Sequence, residues 1–441
     1  YWKPLIKLLK PLKLIKMNRI ILIGNGFDLA HGLPTRYEDF INWYWEKWLY
    51  NLRTCHYKTL ADGLCKFSIK TGQDTWQSLL WQQGYTLNSP KGVDFVNSIL
   101  DDKQNFEVIQ SHLLYRICKS IQDKKWVDFE NEYYCLLKEA IESPENLGCT
   151  PQEINRQLHC ILDLLTQYLI SLQVKPLTCT DLIRNIILEP IKVEDVAIGS
   201  IQHIYEHCNY WANQGRHTLY KQLGEDEVPY EQALAIRANV DEFLQKNIAK
   251  YPDGRLGVID INKTPDELLR PFNTMLLSFN YTWITDIYAQ QCSCLVNHIH
   301  GDLKDPSKMI FGYGDELDND YKGLLKQEDN ECLKNIKSIK YLESTNYRSM
   351  LQFIESDPFQ VCIMGHSCGN SDRTLLNTLF EHKNCVSIKP YYYRKSDGTD
   401  NYMELVQNIC RNFTDMKLMR DRVVNKTFCE PLPQIKLNDR I

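Results

Sequence analysis

The sequence predicts an α/β fold: a Rossmann-like, mostly parallel sheet interrupted by a large, mainly helical insertion. Apolar runs stand at Ile20–Ile23, Thr274–Phe279 and Phe359–Met364, each of strand rather than helix length. Each run empties into a polar sequence rich in glycine or asparagine. Segments of helical periodicity separate them, and strands joined by helical crossovers make parallel sheets covered on both faces.

Composition agrees with a packed core. The chain has 441 residues, 43% of them hydrophobic and 24% charged, which excludes a disordered chain and fits two or three domains or one large domain with an insertion. No stretch approaches the roughly 20 uninterrupted apolar residues that cross a bilayer, so no membrane partner is expected. A formal charge of -5 supplies no global attraction for nucleic acid. The 16 cysteines are scattered through apolar segments, which predicts reduced thiols and a cytoplasmic setting. Only Cys292 and Cys294 are close in sequence, without a second pair, so no metal site is predicted.

The first run leads directly into Gly24-Asn25-Gly26-Phe27-Asp28, and a helix is predicted over Pro34–Trp48. Thr35 and Glu38 have capping-box spacing, while Tyr37, Phe40, Ile41, Tyr44 and Trp48 form one apolar stripe. Between residues 50 and 262 the helical periodicities fall at Phe106–Ile117, Trp126–Ile141, Glu153–Leu172 and Ala233–Ile248, and strand signals are poor. Thr264-Pro265-Asp266-Glu267 predicts a capped short helix stopped by Pro271. Further strands are expected at Cys294–Ile299 and Val386–Tyr393, with helices at Tyr347–Glu355, Asp372–Phe380 and Tyr402–Phe413.

These boundaries divide the chain into a basic segment, upstream or added, at 1–16 and a first α/β part at 17–49. The insertion at 50–262, a second α/β part at 263–425 and a tail at 426–441 follow.

Open parallel sheets bind ligands outside the carboxyl ends of their strands. Four polar sequences take that position: GNGFD at 24–28, FNYTW at 279–283, HIHGD at 298–302 and GHSCGNSD at 365–372. Gly24 and Gly26 allow close approach to a phosphate or ribose. Asp28 can accept from ribose hydroxyls, or it caps a turn. Leu29 stands where the dinucleotide fingerprint has its third glycine, which argues against a standard dehydrogenase. Asn280 offers donor and acceptor, and His300 can take a proton near neutrality. His298 and His300 share a face only if the strand continues through both.

Gly365-His366-Ser367-Cys368-Gly369 matches the G-x-S-x-G nucleophile elbow. His382 is the one histidine after it, and three extra residues precede its helix, so a phosphate or ribose loop with Asp372 capping and anchoring is favoured. Asp128 and Glu130 in WVDFE are read as a solvated or structurally bonded pair. Phe311-Gly312-Tyr313-Gly314-Asp315-Glu316 is read as an aromatic-glycine turn that can form a rim. The run Tyr391-Tyr392-Tyr393-Arg394-Lys395 can stack on bases, but a partly buried edge strand is favoured.

Taken in order, IILIGNGFDLAHGLPTRYEDF, WVDFE, LLSFNYTW, HIHGD, MIFGYGDE and FQVCIMGHSCGNSDRTLL resemble the AbiH family of bacterial abortive-infection proteins. A more distant resemblance runs to SIR2-like domains, in which comparable loops surround NAD. That resemblance implies Asn280 as the ribose-positioning asparagine and His300, followed by Gly301, as the catalytic histidine. It places Gly24, Asn25, Gly26, Phe27 and Asp28 along the dinucleotide, with His298, Gly365, His366, Ser367 and Asp372 closing the site. Phe27 and Leu29 depart from the small-residue loop of those domains, and the C-x-x-C zinc module of protein deacylases is absent, against a deacylase.

The expected function is an antiphage effector that binds NAD or a related nucleotide and hydrolyses the nicotinamide–ribose bond, with Asn280, His300 and Asp28 as catalytic residues. NAD is then substrate or ligand rather than a tightly held cofactor, and a phage-derived trigger and a homo-oligomer are the expected partners. The alternative is a non-catalytic nucleotide-sensing or protein-interaction component. A serine hydrolase and a nuclease are weaker alternatives.

Overall fold

Six consecutive buried residues, Asn18–Ile23, form strand β1 at the centre of the sheet. Burial on both faces is required of a strand with parallel neighbours on each side and helices above and below. In this computed structural model β1 pairs in parallel with β5 (Thr274–Ser278) and with β7 (Phe359–Met364). Two further parallel strands, β6 (Leu295–His298) and β8 (Cys385–Tyr391), complete the order β6-β5-β1-β7-β8. Counted within the sheet alone, that is 3-2-1-4-5, the order of doubly wound dinucleotide-binding sheets. The chain's direction across the sheet reverses between β1 and β7, and the crevice opens there. The structure describes residues 16–70, 75–76, 78, 80, 93–124, 128–173, 179–211, 230–248 and 263–435.

Side-chain alternation sorts the sheet into two cores. Ile20 and Leu22 join Leu277, Val361 and Ile363 beneath the helices Asn346–Ser356, Arg373–Phe380 and Tyr402–Arg411. Ile21 and Ile23 join Leu276, Cys362 and Met364 on the opposite face, against Phe27, Ile284 and Tyr288. Ile183 and Ile187 of the helix Asp181–Ile187 pack there too, so part of the sequence between the two sheet segments covers the sheet itself.

Most of the remaining middle packs into its own aromatic core around helix α2 (Tyr37–Thr54), Phe129–Glu142 and Pro151–Leu172. Trp45, Phe67, Trp76 and Phe129 are fully buried in it, each removal from water worth ~2–3 kcal/mol. Here the structure corrects the sequence reading. Three short strands, β2 (Thr59–Ala61), β3 (Cys65–Ile69) and β4 (Phe106–Gln110), form an antiparallel sheet. The periodicity of Phe106–Ile117 predicts a helix throughout; instead the helix begins at His112. Phe106, Ile109, Leu113 and Ile117 mimic helical spacing, but Val108 and Ile109 pair with Phe67 and Lys66.

Capping also differs. Helix α2 begins after Arg36, whose backbone amide donates to Asp39 Oδ2, while the Thr35 hydroxyl turns away to Asn25 Oδ1. The expected helix at Thr264–Glu267 is a short 3-10 turn, Asp266–Leu269, without a side-chain cap. The strands of the parallel sheet and the carboxyl-terminal helices match the expectation to within two residues, whereas α2 runs to Thr54 rather than Trp48 and the helices expected from Trp126 and Ala233 begin at Phe129 and Tyr230. β8 is an edge of the sheet, but of the run Tyr391–Lys395 only Tyr391 belongs to it. No helix among the described residues is long and apolar enough to cross a membrane. The basic residues 1–15 and the last six, 436–441, lie outside the described residues, as do Trp126 and Val127 of WVDFE.

Candidate functional site

At the crevice two glycine loops touch. β1 ends at Ile23 and helix α1 (Asn25–Ala30) starts two residues later, with Gly24 at an extended φ of -120°. A Cβ on Gly24 would lie 2.4 Å from His366 Cα, and one on Gly26 would lie 2.8 Å from Gly365 Cα. Gly365 has φ +76°, and a Cβ there would meet the Phe27 nitrogen at 2.1 Å. The Gly26 amide donates to the Gly365 carbonyl at 2.8 Å. Loop-to-loop contact is by itself enough to require these glycines.

A cavity of about 370 Å³ opens beside this contact at the carboxyl ends of β1, β5 and β7, within the size range of small-molecule sites. Asp28 and Asn280, distant in sequence, meet on its wall. Asn280 Nδ2 donates to Asp28 Oδ1 at 2.8 Å and to the Gly24 carbonyl at 2.9 Å. Thr282 donates its hydroxyl to Asp28 Oδ2 at 2.8 Å. Both amide hydrogens of Asn280 are thus committed, leaving its Oδ1 to accept from a ligand. Burial pushes the Asp28 carboxyl up from 3.8 to about 7, against the two hydrogen bonds that favour its charged form.

Opposite stands a buried ionic cluster. Lys337 Nζ lies 2.7 Å from Glu130 Oε2 and 2.7 Å from Asp372 Oδ1. Burial alone would raise Asp372, but Lys337 and then His300 outweigh it and hold this carboxyl well below its ordinary range. For Glu130 burial outweighs Lys337, so its carboxyl rises to about 7. His300 Nε2 lies 3.3 Å from Asp372 Oδ1 and 3.2 Å from the Tyr341 hydroxyl. Since Asp372 is ionised, the His300 proton belongs on Nε2 and Nδ1 is the basic nitrogen. Burial, aided by Lys337, lowers the His300 pKa, so the neutral ring is favoured. His366 completes the wall: its Nδ1 accepts from the Cys368 amide at 3.0 Å, leaving its proton on Nε2, 3.5 Å from Asp372 Oδ2.

The family model described as bacteriophage abortive infection AbiH matches residues 20–393. This chain belongs to the AbiH family. No curated protein and no solved structure matches it, and no match links it to SIR2-like domains. The AbiH match spans every element of the cleft described so far.

Within this AbiH chain the sequence-predicted residues divide. Gly24, Asn25, Gly26, Asp28, Asn280, His300, Gly365, His366, Ser367 and Asp372 all line the cavity. His298 and Gly301 do not. β6 ends at His298, whose Nε2 bonds to Asp286 at 2.9 Å, and both residues line a different cavity of about 480 Å³. With β6 ending at His298, His300 alone of the two histidines reaches the cleft, and the chain turns just beyond it at Gly301, φ +78°. Phe27 is fully buried below the loop against His31 and Tyr288, and serves the core rather than a ligand. Asp372 anchors the neighbouring loops as expected, but makes no side-chain cap to its helix.

The nucleophile-elbow geometry is absent. Positive φ falls on Gly365 and Cys368, not on Ser367. His382 pairs with Glu355 beside Phe359, at the amino ends of the strands. Of the two expectations for the WVDFE acids, structural bonding holds: Asp128 caps the Phe129–Glu142 helix and Glu130 enters the Lys337 cluster. FGYG is buried scaffold rather than rim, since Gly312 N donates to Glu130 Oε1 and Gly314 N to the Ser371 carbonyl. Sequence reasoning missed Lys337, Thr282 and Tyr341. Thr282 sits inside the FNYTW motif and was findable there; Lys337 carries no local signal.

Proposed function

We propose that this AbiH chain binds NAD or a related nucleotide in the cleft and hydrolyses the bond between nicotinamide and ribose. The observation that carries the reading is the convergence of Asn280, Asp28 and His300 on one small-molecule-sized cavity at the switch point of a 3-2-1-4-5 sheet. As the C–N bond breaks, nicotinamide leaves with the electron pair and positive charge develops on the ribose. Asp28, in its ionised form, opposes that charge from a buried position, where it acts more strongly than in water. Asn280 Oδ1 accepts from a ribose hydroxyl. Water attacks the anomeric carbon and gives its proton to His300 Nδ1, while Asp372 holds Nε2 and steadies the imidazolium that forms.

Nicotinamide release from NAD, followed by chromatography with and without candidate phage components, tests this reading. Folded His300→Ala should lose activity by about 100-fold or more, and Asn280→Ala should fall with it. Full turnover by His300→Ala would remove the proposed base. One observation favours a second reading, nucleotide sensing without turnover: Asp28 and Asn280 already satisfy each other. Under that reading NAD is bound stoichiometrically and no nicotinamide appears.

A further inference from the structure

A larger cavity of about 490 Å³ adjoins the cleft. The two share Gly26, Leu29, Arg36, Gly365, His366 and Ser367, so they are lobes on either side of the contact between the glycine loops. The family match ends at residue 393. Much of the outer lobe is built beyond that point, by Asn401, Glu404, Leu405, Asn408, Leu432 and Gln434.

This outer wall is fastened to the cleft. Asn408 Nδ2 donates to the Ser367 carbonyl at 2.9 Å, and the Tyr393 amide donates to Asn401 Oδ1 at 2.6 Å. The Leu432 amide donates to the Tyr392 carbonyl and the Ile435 amide to the Ala30 carbonyl, each at 2.8 Å. The lobe is therefore held open by hydrogen bonds from three separate segments, not by a loose tail.

Its chemistry is divided by position. Arg36 stands at the neck between the lobes, exposed, and makes no ion pair among the described residues. A planar guanidinium there suits phosphate oxygens crossing from one lobe to the other. Leu405, Leu432 and Tyr393 offer apolar surface for a flat base, and Tyr393 is 45% exposed. Glu404, also without an ion-pair partner among the described residues, presents an acceptor-only carboxylate. Such a group fits a ribose diol or an exocyclic amine.

We propose that the outer lobe is a second nucleoside subsite, making the ligand of this cleft a dinucleotide whose phosphates pass Arg36. The inference rests on the nucleotide reading of the inner cleft, and it assigns the choice of the distal nucleoside to residues outside the family-matched span.

Calorimetric titration with NAD, nicotinamide mononucleotide and ADP separates the two readings. The wild type should bind NAD about tenfold or more tightly than the mononucleotide, and ADP should bind unaided. Tyr393→Ala and Glu404→Ala, both at exposed positions with little effect on folding, should each reduce the NAD-to-mononucleotide preference by about tenfold, to near parity. Arg36→Ala should weaken all three ligands. Equal affinity for NAD and the mononucleotide, or a preference unmoved by both variants, overturns the outer subsite and leaves the inner one standing. Binding of ADP without any binding of the mononucleotide supports the outer lobe and overturns the nicotinamide reading. No binding of any of the three overturns both.

Discussion

The substitution Asp28→Asn removes a buried charge while keeping the shape of the side chain. Folding lifts this carboxyl from 3.8 to about 7, so at pH above 7 its ionisation costs ~4 kcal/mol relative to the unfolded chain. The sign follows from proton counting. Between about pH 4 and about pH 7 the folded chain holds a proton that the unfolded chain has released, so wild-type stability falls as pH rises, then levels. The Asp28→Asn variant has no carboxyl at this position and loses that dependence. The introduced amide can still accept from Asn280 through its oxygen and donate to the Thr282 hydroxyl through its nitrogen, so the loss from weaker hydrogen bonds is ~1 kcal/mol. Urea denaturation of both proteins should show the variant's advantage growing by ~1.4 kcal/mol per pH unit across that window, to a plateau near ~3 kcal/mol. A difference that stays flat with pH, or a variant less stable than wild type at about pH 8, would refute the claim that burial dominates this carboxyl.

Other substitutions test neighbouring parts of the account. Gly365→Ala combines φ +76° with a Cβ 2.1 Å from the Phe27 nitrogen, and should cost ~3 kcal/mol or more; an unchanged thermal midpoint would contradict the loop contact. Lys337→Met leaves Glu130 and Asp372 buried without their cation and should cost ~3–5 kcal/mol. Adding Glu130→Gln should recover part of it, whereas strict additivity would mean that the two do not interact. Asp372, held well below its ordinary range by Lys337 and His300, contributes stability above the unfolded carboxyl pKa that is lost as pH falls, so Asp372→Asn should flatten acid unfolding below about pH 4. Phe27→Ala should cost ~3–5 kcal/mol in urea; a loss of nucleotide affinity with no loss of stability would return Phe27 to the ligand.

The parallel sheet was legible because strands buried on both faces appear as unbroken apolar runs, as FQVCIM at β7 does. Loop positions followed from strand ends, which is why Asn280 and Asp28 could be paired across 252 positions. Where a strand stopped was harder to read. The one-residue question of whether β6 continued past His298 decided which histidine entered the cleft. The short β2–β4 sheet escaped because five-residue alternation is easily overwritten by helical spacing at Phe106, Ile109 and Leu113. The ionic cluster is invisible locally: Lys337 meets partners at 130 and 372, and only tertiary packing brings them together. Gly24 and Gly26 stand out in the sequence, yet backbone contact with the β7 loop is by itself enough to require them.

A crystal structure of the His300→Ala variant with NAD would locate the ligand directly. The nicotinamide ribose should lie within about 2.6–3.2 Å of Asn280 Oδ1, with its anomeric carbon between Asp28 and the space vacated by the imidazole. A dinucleotide bound elsewhere on the chain, or a cleft left empty at saturating NAD, would contradict the assignment.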